Sequence, residues 1–123
     1  DGNWRRLAVL MAIGIFITAL LVFAIKFSVR RQRPAGDWGT IYRKTDPHSF
    51  PSGHAARAAM LAVVALGTGP AWLGWILIAW APLVILARVM MGVHYLSDVF
   101  AGAGLGIATG LLLLKLVFLI RFL

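Results

Sequence analysis

The sequence predicts an all-α fold: a polytopic transmembrane bundle of four helices, forming a single domain over residues 1–123. Three observations predict it. Apolar residues make up 61% of the chain and charged residues 13%, against about 45–50% and about 25% in ordinary globular domains. Uncharged stretches of membrane-spanning length recur, at Leu7–Ile25, Ala58–Ala87 and beyond Asp98. Turn-forming Gly and Pro interrupt the longest of them. A soluble chain of this composition would expose large apolar patches, and disorder requires low hydrophobicity. A disulfide scaffold is excluded because there is no Cys.

The first helix is expected at about 7–26. Arg5 and Arg6 precede it as they would precede a signal peptide, but no small-x-small cleavage site follows and Lys26 comes directly after. It therefore reads as a retained helix. The 25-residue connection Phe27–Pro51 lacks strong periodicity, which in a compact protein marks a functional loop or disorder. It carries Arg30, Arg31, Arg33, Arg43 and Lys44, with Trp38 and Tyr42 as interface anchors. Gly67-Thr68-Gly69-Pro70 separates a helix at about 52–66 from one at about 71–90. Pro82 should bend the latter. The last helix is expected at 97–123, with Ser97 as its N-cap.

Threading these helices back and forth gathers the unusual polar residues at one membrane face. Lys26, Arg33, His54, Arg57, Arg88, His94 and Asp98 all arrive there, whereas Lys115 and Arg121 do not. Ionisable groups at membrane depth are costly and mark functional sites. The chain has 12 Lys and Arg against four acidic residues, a net +8. In so apolar a chain, this points to lipid phosphate rather than nucleic acid. A metal-dependent phosphatase needs several oxygen ligands, which this composition does not easily supply. No metal or other cofactor is expected.

Lys26, Arg33 and Arg88 suit a tetrahedral oxyanion, because Arg offers a fork of donors and Lys a compact charge. Pro51-Ser52-Gly53-His54 opens a helix, whose free N–H groups bind anions, and Gly53 lets a ligand approach the main chain. His94 and Asp98 share a helical face at i, i+4. A carboxylate on one ring nitrogen leaves the other free to attack. His54 could then protonate the departing oxygen. The chemistry implied is phosphoryl transfer through a phosphohistidine.

These residues resemble the signatures of the type 2 phosphatidic acid phosphatase superfamily. Lys26, six residues and Arg33-Pro34 are similar to its first motif, Pro51-Ser52-Gly53-His54 to its second, and Arg88, His94 and Asp98 to its third. The resemblance implies phosphate binding by Lys26, Arg33, Ser52, Gly53 and Arg88. It assigns leaving-group protonation to His54, nucleophilic attack to His94 and orientation of His94 to Asp98. It further implies metal-independent hydrolysis of a lipid phosphate or diphosphate. Ala87 stands where the family usually has Ser. Membrane members commonly have six helices, so four, without an initial Met, suggest a fragment, a processed product or a minimal version.

Arg57 lies outside the motifs and is a candidate substrate contact, with a tether to Asp46 as the competing reading. Arg30 and Arg31 read better as snorkelling interface charges, Arg43 and Lys44 as solvated loop charges, and His48 as an ordinary loop histidine. Gly102, Gly106 and Gly110 form a small-residue stripe that packs the last helix, within the chain or between subunits of an oligomer. Rival functions are a catalytically silent binder of anionic lipid headgroups, a vanadate-dependent haloperoxidase-like enzyme and, more remotely, an ion-conducting bundle. The partners expected are the bilayer and a lipid phosphate, without nucleic acid. The positive-inside rule would turn the motif face to the cytoplasm. The resemblance implies instead a site on the extracytoplasmic face of the cell membrane, where family members often carry it, and that is the placement expected.

Overall fold

The computed structural model describes residues 2–120. It contains five helices among the described residues rather than four: α1 (Gly2–Val29), α2 (Asp37–Thr45), α3 (Gly53–Thr68), α4 (Ala71–Met90) and α5 (Leu96–Ile120). The helix at 71–90 coincides with α4, which continues through Pro82. Helix α1 extends beyond the expected 7–26 at both ends. Charge delimits the apolar span, whereas helical hydrogen bonding continues past it through Arg5, Arg6 and Lys26. The predicted end of the last helix at 121–123 lies outside the described residues, as do Asp1 and Arg121.

Helices α1, α4 and α5 are long and apolar enough to cross a membrane. The 16-residue α3 is shorter and packs against all three. Its sequence explains the central position. Ala55, Ala56, Ala58, Ala59, Ala62 and Ala65 keep it slim and are buried, so neighbouring backbones approach closely. The outward faces carry Phe16, Phe23, Trp75, Leu83, Phe100 and Leu116, all exposed, as a lipid-facing surface requires. The chain is a multi-pass membrane protein.

Helix α5 lies along α3 in the same direction. A Cβ added at Gly102 or Gly106 would collide with the carbonyl oxygen of Ser52 or Ala56, and one at Gly110 would meet Val63. The glycine stripe is thus consumed inside the chain, and this face is not open to a second subunit. Helix α1 runs antiparallel to α3, with Gly14 against Met60 and Val22 beside Gly53. Consequently the C-terminal ends of α1 and α4 and the N-terminal ends of α3 and α5 share one end of the bundle. The buried cluster of Leu7, Met60, Val64 and Leu113 closes the other part.

The Phe27–Pro51 connection is not structureless. It contains α2, whose Asp37 and whose Arg43 and Lys44 complement the helix dipole at opposite ends. At nine residues it is too short to be stable alone, so tertiary contacts hold it. Flanking segments pair where Ser49 N–H donates to the Arg31 carbonyl at 2.8 Å and Gln32 bridges His48. Arg30, with φ 51°, turns the chain out of α1 as its N–H donates to the Lys26 carbonyl at 2.8 Å.

Candidate active site

A cavity of about 330 Å³ opens at the shared end, lined by Lys26, Arg33, Asp46, His48, Gly53, His54, Arg57, Arg88 and His94 among others. Tyr42, Thr45 and Pro47 also line it, and Ala19, Val22, Phe23 and Phe27 from α1 form its apolar wall. Four helix ends and two loops therefore build one basic pocket with an apolar side facing the lipid.

Lys26, Arg33 and Arg88 are buried, each at most 6% exposed, far below what unpaired surface cations show. Loop atoms engage all three. Lys26 Nζ donates to Asp46 Oδ2 and, at 2.8 Å, to the His48 carbonyl. Arg33 Nη2 donates to the same Asp46 oxygen at 2.9 Å, and its Nε to the Asp46 carbonyl at 2.7 Å. Arg88 Nη1 donates to Tyr42 Oη at 3.3 Å, and the Tyr42 ring lies 5.0 Å from both arginines. Tyr42 is therefore not a membrane-interface anchor; the attraction between arginine cations and its ring turns it inward. Arg88 Nε is buried without a partner among the described residues, a donor still available to a ligand.

His94 stands in the turn between α4 and α5. Gly92, at φ +66°, makes that turn, a left-handed conformation suited to glycine just past a helix end. His94 Nε2 lies 3.2 Å from Arg33 Nη1, facing the cationic pocket. Its Nδ1 is 3.5 Å from Asp98 Oδ2, beyond a hydrogen bond, and has no other partner among the described residues. Such contacts commonly tighten when substrate binds. Burial, reinforced by Arg33 and Arg88 and opposed by Asp98, holds the His94 pKa down to about 4. The ring is accordingly neutral, with Nε2 able to act as a base or nucleophile.

Asp98 is fully buried and does more than face His94. Its Oδ2 accepts from the Tyr95 N–H at 2.8 Å, reaching back over the first turn of α5 as a capping-box acid does. Ser97 is therefore not the N-cap: the helix begins at Leu96, and Asp98 satisfies the end instead. Asp98 Oδ1 accepts from Arg31 Nη1 at 3.0 Å. Arg31 also lies 4.2 Å from the Tyr95 ring, so it is not a snorkelling charge. No motif marks it, although its closeness to Arg33 in sequence was a usable signal.

Ser52 caps α3, its Oγ accepting from Ala55 N–H at 3.4 Å, while its own N–H donates to the Asp98 carbonyl at 2.9 Å. It lies behind the pocket rather than on its wall, leaving Gly53 and His54 at the surface of the cavity. His54 is exposed toward it. Arg57 is half-buried on the same wall. The Asp46 tether, the competing reading for Arg57, is not formed among the described residues, because Lys26 and Arg33 take that carboxylate. Ala87 is exposed and away from the cavity wall, so the departure there leaves the pocket intact. His48 contributes its carbonyl to Lys26, and its ring meets Phe27 edge-on at 5.7 Å.

The family model described as the PAP2 superfamily matches residues 6–122. An undecaprenyl-diphosphatase from Sulfolobus acidocaldarius is 37% identical over 83% of this chain and 51% of its own length. A decaprenylphosphoryl-5-phosphoribose phosphatase from Mycobacterium tuberculosis is 35% identical over 86% of this chain and 59% of its own. A transmembrane PAP2-type phosphatidylglycerolphosphate phosphatase from Bacillus subtilis superposes with a TM-score of 0.67 at 28% identity. That match covers 85% of this chain and 56% of the other. The chain thus spans a little over half the length of these relatives.

Proposed function

The chain belongs to the PAP2 superfamily, and from that membership we propose that it hydrolyses a lipid phosphate or diphosphate through a phosphohistidine, without a metal. The observation that carries this reading is the placement of a neutral His94 Nε2 against Arg33 inside a pocket of buried cations.

In the proposed reaction, Lys26, Arg33, Arg88 and the Gly53 N–H bind the phosphate, with Ser52 supporting Gly53 through the helix cap. His94 Nε2 attacks phosphorus, and the bond to the lipid oxygen breaks. His54, charged once the bound phosphate offsets the surrounding cations, delivers a proton to that oxygen, so the alcohol or lipid monophosphate leaves protonated. Asp98 stabilises the Nδ1–H of His94 as charge develops on the ring. The three cations meet the charge on the equatorial oxygens, where electrostatic stabilisation counts most. Water deprotonated by His54 then attacks the phosphohistidine, releasing phosphate and restoring His94. Among the described residues, the charged side chains lining the pocket are Lys26, Arg33, Arg57 and Arg88, with Asp46 as the one acid, a set suited to an anion and poorly suited to a divalent metal.

The apolar wall of Ala19, Val22, Phe23 and Phe27 gives a lipid tail a path from the bilayer. Arg57, on the same wall as His54, is assigned to a second phosphate or polar headgroup. The site is assigned to the extracytoplasmic face of the cell membrane. The direct test is phosphate release from a panel of lipid phosphates with chelator present. Activity should persist in chelator and be blocked by orthovanadate, which imitates pentacoordinate phosphorus. Strict dependence on a divalent cation would overturn the mechanism, and lipid binding without release would favour a silent binder.

A further inference from the structure

We infer that Asp46 is a resident anion which substrate phosphate displaces, and which thereby weakens the hold of free phosphate on the site. The inference rests on the phosphate-binding reading of the same cations.

Asp46 Oδ2 sits between Lys26 Nζ and Arg33 Nη2, the two cations that the first motif supplies. One carboxylate oxygen there satisfies both, as a phosphate oxygen would. The Arg33 and Lys26 ends of these pairs are buried, at 1% and 8% side-chain exposure, whereas the Asp46 side chain is 44% exposed. The cations are therefore fixed and the carboxylate has open space beside it. Its backbone is anchored separately, because Arg33 Nε holds the Asp46 carbonyl at 2.7 Å and the Asp46 N–H donates to the Tyr42 carbonyl at 2.7 Å. Rotation of the side chain alone would vacate the position, with no unfolding of α2.

Two anions cannot share those donors at contact distance without strong repulsion. Phosphate binding must then work against the population in which Asp46 occupies them, and apparent affinity falls by the fraction of vacant sites. The same factor applies to a lipid phosphate and to inorganic phosphate. A lipid substrate adds tail burial along the α1 wall, so it still binds, while the released product is held weakly. Asp46 thus limits product inhibition by setting a threshold that phosphate alone does not cross.

The test measures inorganic phosphate binding to the full chain in detergent by equilibrium dialysis, for the native protein, Asp46→Asn and Asp46→Ser. Both variants should bind phosphate about three- to tenfold more tightly, the effect of removing one partly exposed competing anion. KM for a lipid phosphate should fall by a similar factor. Unchanged or weaker binding in both variants would overturn the inference and make Asp46 a residue that positions Lys26 and Arg33 instead. Arg88→Ala, which does not touch Asp46, separates the underlying reading. If phosphate binding is undetectable in both Asp46 variants, or is indifferent to Arg88→Ala placed in their background, the cation pocket is not a phosphate site, whatever Asp46 does. Tryptophan-fluorescence melting confirms that each variant is folded.

Discussion

Arg31 and Asp98 meet through a single guanidinium nitrogen: Arg31 Nη1 donates to Asp98 Oδ1 at 3.0 Å and to Ser97 Oγ at 2.6 Å. The pair ties the loop after α1 to the first turn of α5. It also divides the labour of one carboxylate, because Oδ1 faces Arg31 while Oδ2 faces Tyr95 N–H and His94. Arg31 therefore acts on His94 only through Asp98, as a positioning residue.

Removing the Arg31 side chain should release Asp98 Oδ1 and loosen the aim of Oδ2 at His94. A hydrogen bond to a charged group contributes about 1.5–3 kcal/mol, discounted here because Arg31 is partly exposed. Arg31→Ala should therefore lower kcat about tenfold, and Arg31→Lys should recover part of the loss. KM should change little, since Lys26, Arg33 and Arg88 are untouched. A matching rise in KM would place Arg31 on the substrate instead.

Replacing the histidines should separate their roles. His94→Ala should abolish turnover of every substrate, because among the described residues His94 is the histidine whose ring nitrogen lies within hydrogen-bond distance of Arg33. His54→Ala should slow lipid phosphates with poor leaving groups far more than a nitrophenyl phosphate, whose departing oxygen needs no proton. Equal losses on both substrates would remove His54 from the acid role.

The depressed pKa of His94 predicts a pH dependence of stability. A free imidazole protonates near 6.5, whereas His94 in the folded chain holds out to about 4. Between these values the unfolded state binds more protons, so stability falls as pH drops from 6.5 toward 4. His94→Asn should flatten that slope. Melting temperatures of both proteins at pH 7 and pH 4.5 measure it, and identical slopes would show that His94 is not held neutral.

The contact between α3 and α5 has no spare room. Gly106→Val would drive a branched side chain into the Ala56 backbone, and overpacking of this kind costs about 1–3 kcal/mol. A lower thermal midpoint is expected, together with reduced activity because α5 carries Asp98. Gly104, where an added Cβ meets nothing within 4 Å, supplies the control: Gly104→Ala should leave both properties unchanged.

Arg57 can be tested by substrate charge. Arg57→Ala should weaken turnover of a prenyl diphosphate selectively relative to the matched monophosphate, if it faces the second phosphate. Equal losses with a lowered melting temperature would assign it a structural role.

Most of the architecture was legible because the bilayer permits few solutions. Uncharged runs of spanning length, broken at Gly67 to Pro70, can only thread back and forth, and that alternation alone brings Lys26, His54, Arg88 and Asp98 to one end. The ionisable residues gathered there mark the pocket by hydropathy and helix alternation alone. Helix α2 was not legible. Its nine residues are amphipathic but short and include weak helix formers such as Thr40, Ile41 and Thr45, and they depend on Tyr42 meeting Arg33 and the far more distant Arg88. Arg31 and Asp46 escape a sequence reading for the same reason: among many loop charges, sequence does not say which will meet a buried partner. Ser97 gave way to Asp98 at the start of α5 because a cap depends on where the backbone turns, and Gly92 sets that turn. Sequence thus determined which residues could share a membrane face, since hydropathy and helix length are local properties. Tertiary structure decided which charges pair, because pairing depends on distances of a few ångströms between segments that only the packed helices bring together.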